Sequence, residues 1–172
     1  MKKITLIFFV CLISFLAFAQ KPPVSGLHLN YEIVRNDVGG KRIFLSALTL
    51  ANKSNTALPA SGWSIFFNFP RLIHSASVSP KMQVEHINGD FYRMTPTAQF
   101  TGLRPSDTVR VEFTAGAWGT SITDAPGGIY LVWDEEPAKG HLFSNYTAQP
   151  ATRPEQYNRY AGDKYEVYTP EK

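Results

Sequence analysis

The chain has 172 residues, with 17 Lys+Arg against 14 Asp+Glu and a single cysteine at position 11. That length suits one well-packed domain burying roughly 68–70% of its unfolded surface, and leaves no room for two. A lone cysteine excludes a disulfide framework and cysteine-rich metal sites. Near-balanced charge without a clustered Lys/Arg run excludes the electrostatic footprint of a nucleic-acid binder, so no nucleic-acid partner is expected.

Residues 1–19 read as an export signal rather than as part of the fold. Lys2 and Lys3 precede an apolar run over 6–18, and Ala17-Phe18-Ala19 supplies the small-x-small pattern of a cleavage site. The run is shorter than the ~20 residues a membrane helix needs, so no membrane association is expected after cleavage between Ala19 and Gln20. Lipoprotein processing at Cys11 is disfavoured because Phe8-Phe9-Val10 lacks a small residue just before the cysteine. The 153 residues that follow the cut hold no thiol, and with Lys2 and Lys3 removed their net charge is +1. The expected location is periplasmic or secreted.

From there the chain alternates between short apolar-patterned runs and turn signals, the pattern of an all-β sandwich. Residues 26–35 place Leu27, Leu29, Tyr31 and Ile33 on one face. The turn Asn36-Asp37-Val38-Gly39-Gly40 leads into 42–51, apolar on both faces and therefore expected at the centre of its sheet. A polar loop over 52–62 precedes 63–69, where Trp63, Ile65, Phe67 and Phe69 share a face, with Phe66 and Asn68 on the other; Pro70 ends the strand by withdrawing a backbone donor. Residues 83–87 and 91–95 flank Asn88-Gly89-Asp90, which predicts a hairpin with a type I′ turn. The turn over 103–107 opens a strand over 108–115, with Val109, Val111 and Phe113 alternating against Arg110, Glu112 and Thr114. Thr123-Asp124-Ala125-Pro126-Gly127-Gly128 turns the chain into 129–133, and Asp124 is expected to cap this turn through its side-chain oxygen. After Asp134 the alternation stops. The expected division is a signal at 1–19, a sandwich at 20–136, and a proline- and tyrosine-rich extension or linker at 137–172 lying outside the core, with a short strand at 164–168.

No reactive constellation emerges from the spacing. His28, His74, His86 and His141 do not pair with one another or with acids at metal-ligand spacing, and no metal or other cofactor is expected. Ser61-Gly62 precedes a strand rather than the helix a nucleophile elbow needs. Asp134-Glu135 is an adjacent acid pair, but it opens a proline-containing loop instead of sitting in a shaped site, so catalysis is not expected of it.

Aromatic residues are the richest resource: 12 Phe, 8 Tyr and 3 Trp. Trp63 and Trp133 share the apolar parity of their strands and read as core. Trp118, among glycines in Gly116-Ala117-Trp118-Gly119, reads either as a stacking platform for the apolar face of a sugar ring or as a lid folded onto the sandwich. Tyr92 and Tyr130 are read as lying opposite the inward parity of their strands, where they would extend such a platform.

Four strings in order, Leu58-Pro59-Ala60-Ser61-Gly62-Trp63-Ser64-Ile65-Phe66-Phe67-Asn68-Phe69, His86-Ile87-Asn88-Gly89-Asp90, Thr123-Asp124-Ala125-Pro126 and Tyr130-Leu131-Val132-Trp133-Asp134, resemble the N-terminal domain of bacterial chitobiases and β-N-acetylhexosaminidases of glycoside hydrolase family 20. The resemblance spans residues 26–168. It implies an immunoglobulin-like, cellulose-binding-domain-like antiparallel β-sandwich serving as a carbohydrate-binding module, placed in such enzymes before an α/β domain and a catalytic barrel. The barrel carries the catalytic Asp-Glu pair, and Asp134-Glu135 does not inherit that role. The expected partners are glycans containing N-acetylglucosamine, with Trp118, Tyr130 and Tyr92 as the binding residues. The competing expectation is a docking domain for a catalytic hexosaminidase domain, touching it through Tyr146, Tyr157 and Tyr160 and binding no sugar. On either reading the chain is a fragmentary hexosaminidase or a free-standing copy of its first domain.

Overall fold

A computed structural model describes residues 21–149; the expected signal and the short strand at 164–168 fall outside them. Among the described residues nine strands form two sheets. They are β1 (Leu27–Arg35), β2 (Ile43–Asn52), β3 (Trp63–Asn68), β4 (Met82–Asn88), β5 (Phe91–Pro96), β6 (Thr108–Gly116), β7 (Gly127–Trp133), β8 (Gly140–Leu142) and β9 (Asn145–Gln149). One sheet has the order β6-β2-β1-β9 and the other β4-β5-β3-β7-β8. β2 lies between β1 and β6, as its two-sided apolar pattern requires.

The inner faces follow the alternation. Leu27, Leu29, Tyr31 and Ile33 of β1 and Val109, Val111, Phe113 and Ala115 of β6 close on Trp63, Ile65 and Phe67 of β3 and Ile129, Leu131 and Trp133 of β7, all buried. Phe69, just after β3, crosses the layer: its ring meets Phe113 edge-on at 5.7 Å and Tyr31 edge-on at 6.0 Å, and both partners come from the facing sheet. Edge-to-face contacts of this kind add ~0.5–1.5 kcal/mol each beyond area burial. The buried Tyr31 hydroxyl is paired with Ser46 Oγ at 2.8 Å, so a polar atom between the sheets is satisfied. Asp124 caps a turn, but the one before it rather than the one after: its Oδ2 accepts from the backbone N–H groups of Thr120 at 2.9 Å and Ser121 at 3.1 Å, upstream of the expected Thr123–Gly128 turn.

Two further expectations need correction. The sandwich does not stop at residue 136. β8 pairs with β7 and extends one sheet, Phe143 is buried in the core, and β9 runs parallel to β1 and extends the other. Sequence alternation fails there because edge strands of three and five residues present few inward positions. The hairpin also differs from a type I′ turn. Positive φ falls on Gly89 alone (+53°), a bulge lies between His86 and Asn88, and Asn88 pairs directly with Phe91. The turn is therefore built on Gly89-Asp90, one position later than expected, and a one-residue slip exchanges the two faces of a strand.

Candidate functional site

The outward face of the five-stranded sheet carries an aromatic row. Phe91 of β5, Phe66 of β3 and Tyr130 of β7 occupy outward positions on three neighbouring strands. Phe66 and Tyr130 are directly opposed; Phe91 faces Asn68 and is thus diagonal to Phe66. Their rings are nearly parallel: Phe91 to Phe66 is 5.7 Å between centroids at 21°, and Phe66 to Tyr130 is 5.3 Å at 12°. That is the offset-stacked geometry aromatic pairs prefer, and cross-strand neighbours are spaced to produce it. All three rings are half-buried, held by one another and by the sheet beneath.

The row continues into a shallow groove of ≈ 460 Å³ bounded by Phe66, Tyr130, Val132, Pro137, Gly140 and Leu142. Gly140 is placed there by need. A Cβ at that position would lie 2.9 Å from Cδ2 and 3.4 Å from Cε2 of Tyr130, so the glycine backbone itself packs on the tyrosine ring. Leu142, beside it on the edge strand, is 73% exposed and adds to the apolar lining of the groove. On the opposite flank, Arg93 sits across from Phe66 and pairs with Glu85 at 2.5 Å on the surface. The face is thus an apolar strip across the strands with a neutralised ion pair at its margin.

The three residues expected to bind together are not brought together. Tyr130 lies in the row, as its parity suggested. Tyr92 does not. It is 2% exposed and points between the sheets, where it stacks on Phe67 at 5.8 Å and donates from its hydroxyl to the Arg71 carbonyl. The turn at Gly89-Asp90 and the bulge before it give Phe91, not Tyr92, the outward position. Trp118 is half-buried in the loop leaving β6, an edge strand of the other sheet, with the Arg42 guanidinium over its ring at 5.2 Å. It shares no face with Tyr130.

Phe66 and Phe91 were missed as binding residues. The signal for them was present: Phe66 has the parity of the polar Ser64 and Asn68, and Phe91 that of Arg93. A large aromatic on a solvent-facing parity is the informative observation, since an inward aromatic needs no explanation.

The remaining candidates behave as ordinary surface groups. Asp134 and Glu135 are exposed, and Glu135 pairs with Lys21 at 2.6 Å. His74 Nδ1 bonds Thr114 Oγ1 at 3.0 Å, and His86 Nε2 bonds the Gly89 carbonyl at 2.8 Å. Among the described residues no three His, Cys, Asp or Glu side chains converge as a metal site would require.

A two-sheet sandwich presenting an aromatic strip on one outer face has the architecture of a carbohydrate-binding module. Residues 26–171 match the family described as "putative carbohydrate binding domain", and the chain belongs to that family. Among solved structures, it is similar to a family 20 exo-β-N-acetylglucosaminidase from Vibrio harveyi in complex with N-acetylglucosamine. The identity is 19% and the TM-score 0.55, over 83% of this chain and 20% of that one. An inactive D437A mutant of the Vibrio harveyi enzyme gives 19% identity and a TM-score of 0.54, over 73% of this chain and 18% of that one. The chain thus corresponds to about a fifth of those enzymes' length. The chitin-binding domain of Chi18aC from Streptomyces coelicolor is similar at 15% identity and a TM-score of 0.44, over 64% of this chain and 93% of that domain.

Proposed function

We propose that the chain binds polysaccharides containing N-acetylglucosamine through the row Phe91, Phe66 and Tyr130, and that it acts as a binding module without chemistry of its own. The carrying observation is the set of three near-parallel rings, 5.7 and 5.3 Å apart, on an outer sheet face. That spacing is close to the length of one pyranose. A β-linked glycan lying across the strands would run along the outward edges of these rings, one ring per sugar, its C–H groups against their edge carbons. Edge contacts bury less carbon than face-on stacking, so each ring contributes about 1 kcal/mol, the low end of the base-stacking range. Three rings then give a Kd of about millimolar. The groove beside Tyr130 offers room for an acetamido methyl against Val132 and Leu142. The choice of N-acetylglucosamine follows the sequence resemblance and the sugar held by the Vibrio harveyi enzyme. On the same reading the chain is exported and works outside the cytoplasm, where such polymers are met.

The test is calorimetric titration with chitohexaose together with co-sedimentation on insoluble chitin. The protein should bind in both, and the Phe66→Ala/Tyr130→Ala double variant should bind at least tenfold more weakly with its unfolding midpoint little changed. Absence of binding by the unaltered protein, or full affinity in the double variant, would overturn the reading.

A further inference from the structure

The other sheet carries a second concavity on its own outer face. It measures ≈ 280 Å³ and spans β9, β1 and β2. Two registered rows build it: Asn145, His28 and Ala51 in one, Thr147, Asn30 and Thr49 in the next. The floor is low because β2 places the small side chains of Ala51 and Thr49 here, whereas the same face carries Ile43 and Leu45 farther along the strand. Beside the concavity, on β6, Arg110 stands opposite Thr49, ion-pairs with Glu32 across β2 and also holds Glu112 at 2.9 Å. Those charges are spent on one another.

What remains inside is neutral: a mostly carbon floor rimmed by a few hydrogen-bonding groups. The Asn30 side-chain oxygen accepts from the Thr147 hydroxyl at 2.9 Å, which fixes both side chains and leaves the Asn30 amide N–H groups to donate outward. The Asn145 amide donates to the Ser25 carbonyl at 2.6 Å, which fixes its orientation. Thr49 and His28 add a hydroxyl and an imidazole. An apolar floor with neutral amides and hydroxyls at its rim suits a neutral ligand that has both carbon faces and hydroxyl or amide groups, as a sugar ring does. Its volume, at the low end for small-molecule sites, holds one or two sugar units rather than an extended chain.

We infer that this groove is a second glycan site that takes one or two N-acetylhexosamine units by hydrogen bonding. It lies on the opposite face of the sandwich from the aromatic row and is independent of it. In its ligand class it rests on the reading of the chain as a glycan binder. Two sites on opposite faces of one rigid body would let a single domain hold a polymer surface on one side and a short or terminal saccharide on the other.

Backbone amide NMR titration of the whole chain with N,N′-diacetylchitobiose tests this, since each face reports separately. Saturable shifts are expected at His28, Asn30, Thr49 and Thr147. These should persist in Phe66→Ala/Tyr130→Ala and disappear in Thr49→Tyr, which fills the groove with a residue that strands favour. Shifts confined to Phe66, Tyr130 and their neighbours would overturn the second site and leave the proposed function standing. Shifts confined to the groove would uphold the second site, the aromatic row being tested by chitohexaose. No shifts at the groove residues would overturn the second site. Groove shifts that survive Thr49→Tyr would overturn the assignment to this groove.

Discussion

Arg71 clasps Asp124 through two hydrogen bonds to one carboxylate oxygen, from Nε at 3.0 Å and from Nη2 at 2.6 Å, while the other oxygen caps the turn after Trp118. The pair joins the loop after β3 to the loop before β7. Asp124 is 5% exposed, so its charge has no water to fall back on. Removing one partner of a buried, hydrogen-bonded charge pair costs ~3–5 kcal/mol; the partial exposure of Arg71 brings the figure to the low end. Asp124→Ala should therefore lower the unfolding free energy by about 3 kcal/mol in urea titrations. A loss below about 1 kcal/mol would show that the two loops hold their geometry without the clasp.

Tyr92 gives a second prediction, one that separates core from site. Its ring lies on Phe67, and its hydroxyl donates to the Arg71 carbonyl at 3.1 Å. Tyr92→Phe leaves a buried carbonyl short of a donor and should cost about 1–2 kcal/mol. Tyr92→Ala also empties the ring's volume and should cost ~3–5 kcal/mol. Because the side chain never reaches the outer face, Tyr92→Phe should bind chitohexaose with unchanged affinity. A tenfold loss in that variant would place Tyr92 back among the binding residues.

The contrast between Tyr92 and Phe91 also shows where sequence reasoning runs out. Strand positions with long clean alternation, such as Val109-Arg110-Val111-Glu112-Phe113, declare their faces because each inward apolar residue is answered by a charge outside. Phe91-Tyr92 offers two aromatics in succession, and the face of each depends on the turn geometry at Gly89-Asp90 and on a bulge that no composition signal marks. The sandwich and the central place of β2 were legible for the first reason. The aromatic row was half legible: Tyr130 follows from parity, but Phe66 and Phe91 become a site only once β5, β3 and β7 are known to be neighbours, a long-range pairing the sequence leaves open. The strands after Asp134 were illegible because edge pairing is carried by backbone hydrogen bonds, and Gly140 is chosen for its lack of a side chain.

Gly140 makes a further prediction. Gly140→Ala introduces a methyl 2.9 Å from Cδ2 of Tyr130, and the tyrosine ring is backed on its other side by Phe66 at 5.3 Å. The ring must therefore tilt out of the row. Affinity for chitohexaose should fall several-fold, while the unfolding free energy changes by less than about 1 kcal/mol, since β8 is a three-residue edge strand. Unchanged affinity would mean that the orientation of Tyr130 does not matter to binding.

Alkaline pH should loosen the fold through two tyrosines. Burial pushes the hydroxyls of Tyr31 and Tyr146 well above the ordinary value of 10.0; for Tyr31 the Ser46 hydrogen bond opposes the shift without cancelling it. Tyr146 projects from β9 toward the core, and its buried hydroxyl has no hydrogen-bond partner among the described residues. Below pH 10 both folded and unfolded chains keep these protons, and the phenols leave stability unchanged. Above it the unfolded chain ionises while the folded one does not, so stability falls as pH rises. The slope for Tyr31 approaches ~1.4 kcal/mol per pH unit, and half-buried Tyr146 contributes less. Urea midpoints measured between pH 9 and 12 should decline, and Tyr31→Phe should flatten the decline. The phenolate absorbance of these two residues should appear only together with unfolding; a folded-state signal near pH 10 that drops by one residue's share in Tyr31→Phe and again in Tyr146→Phe would show that neither is sealed from water.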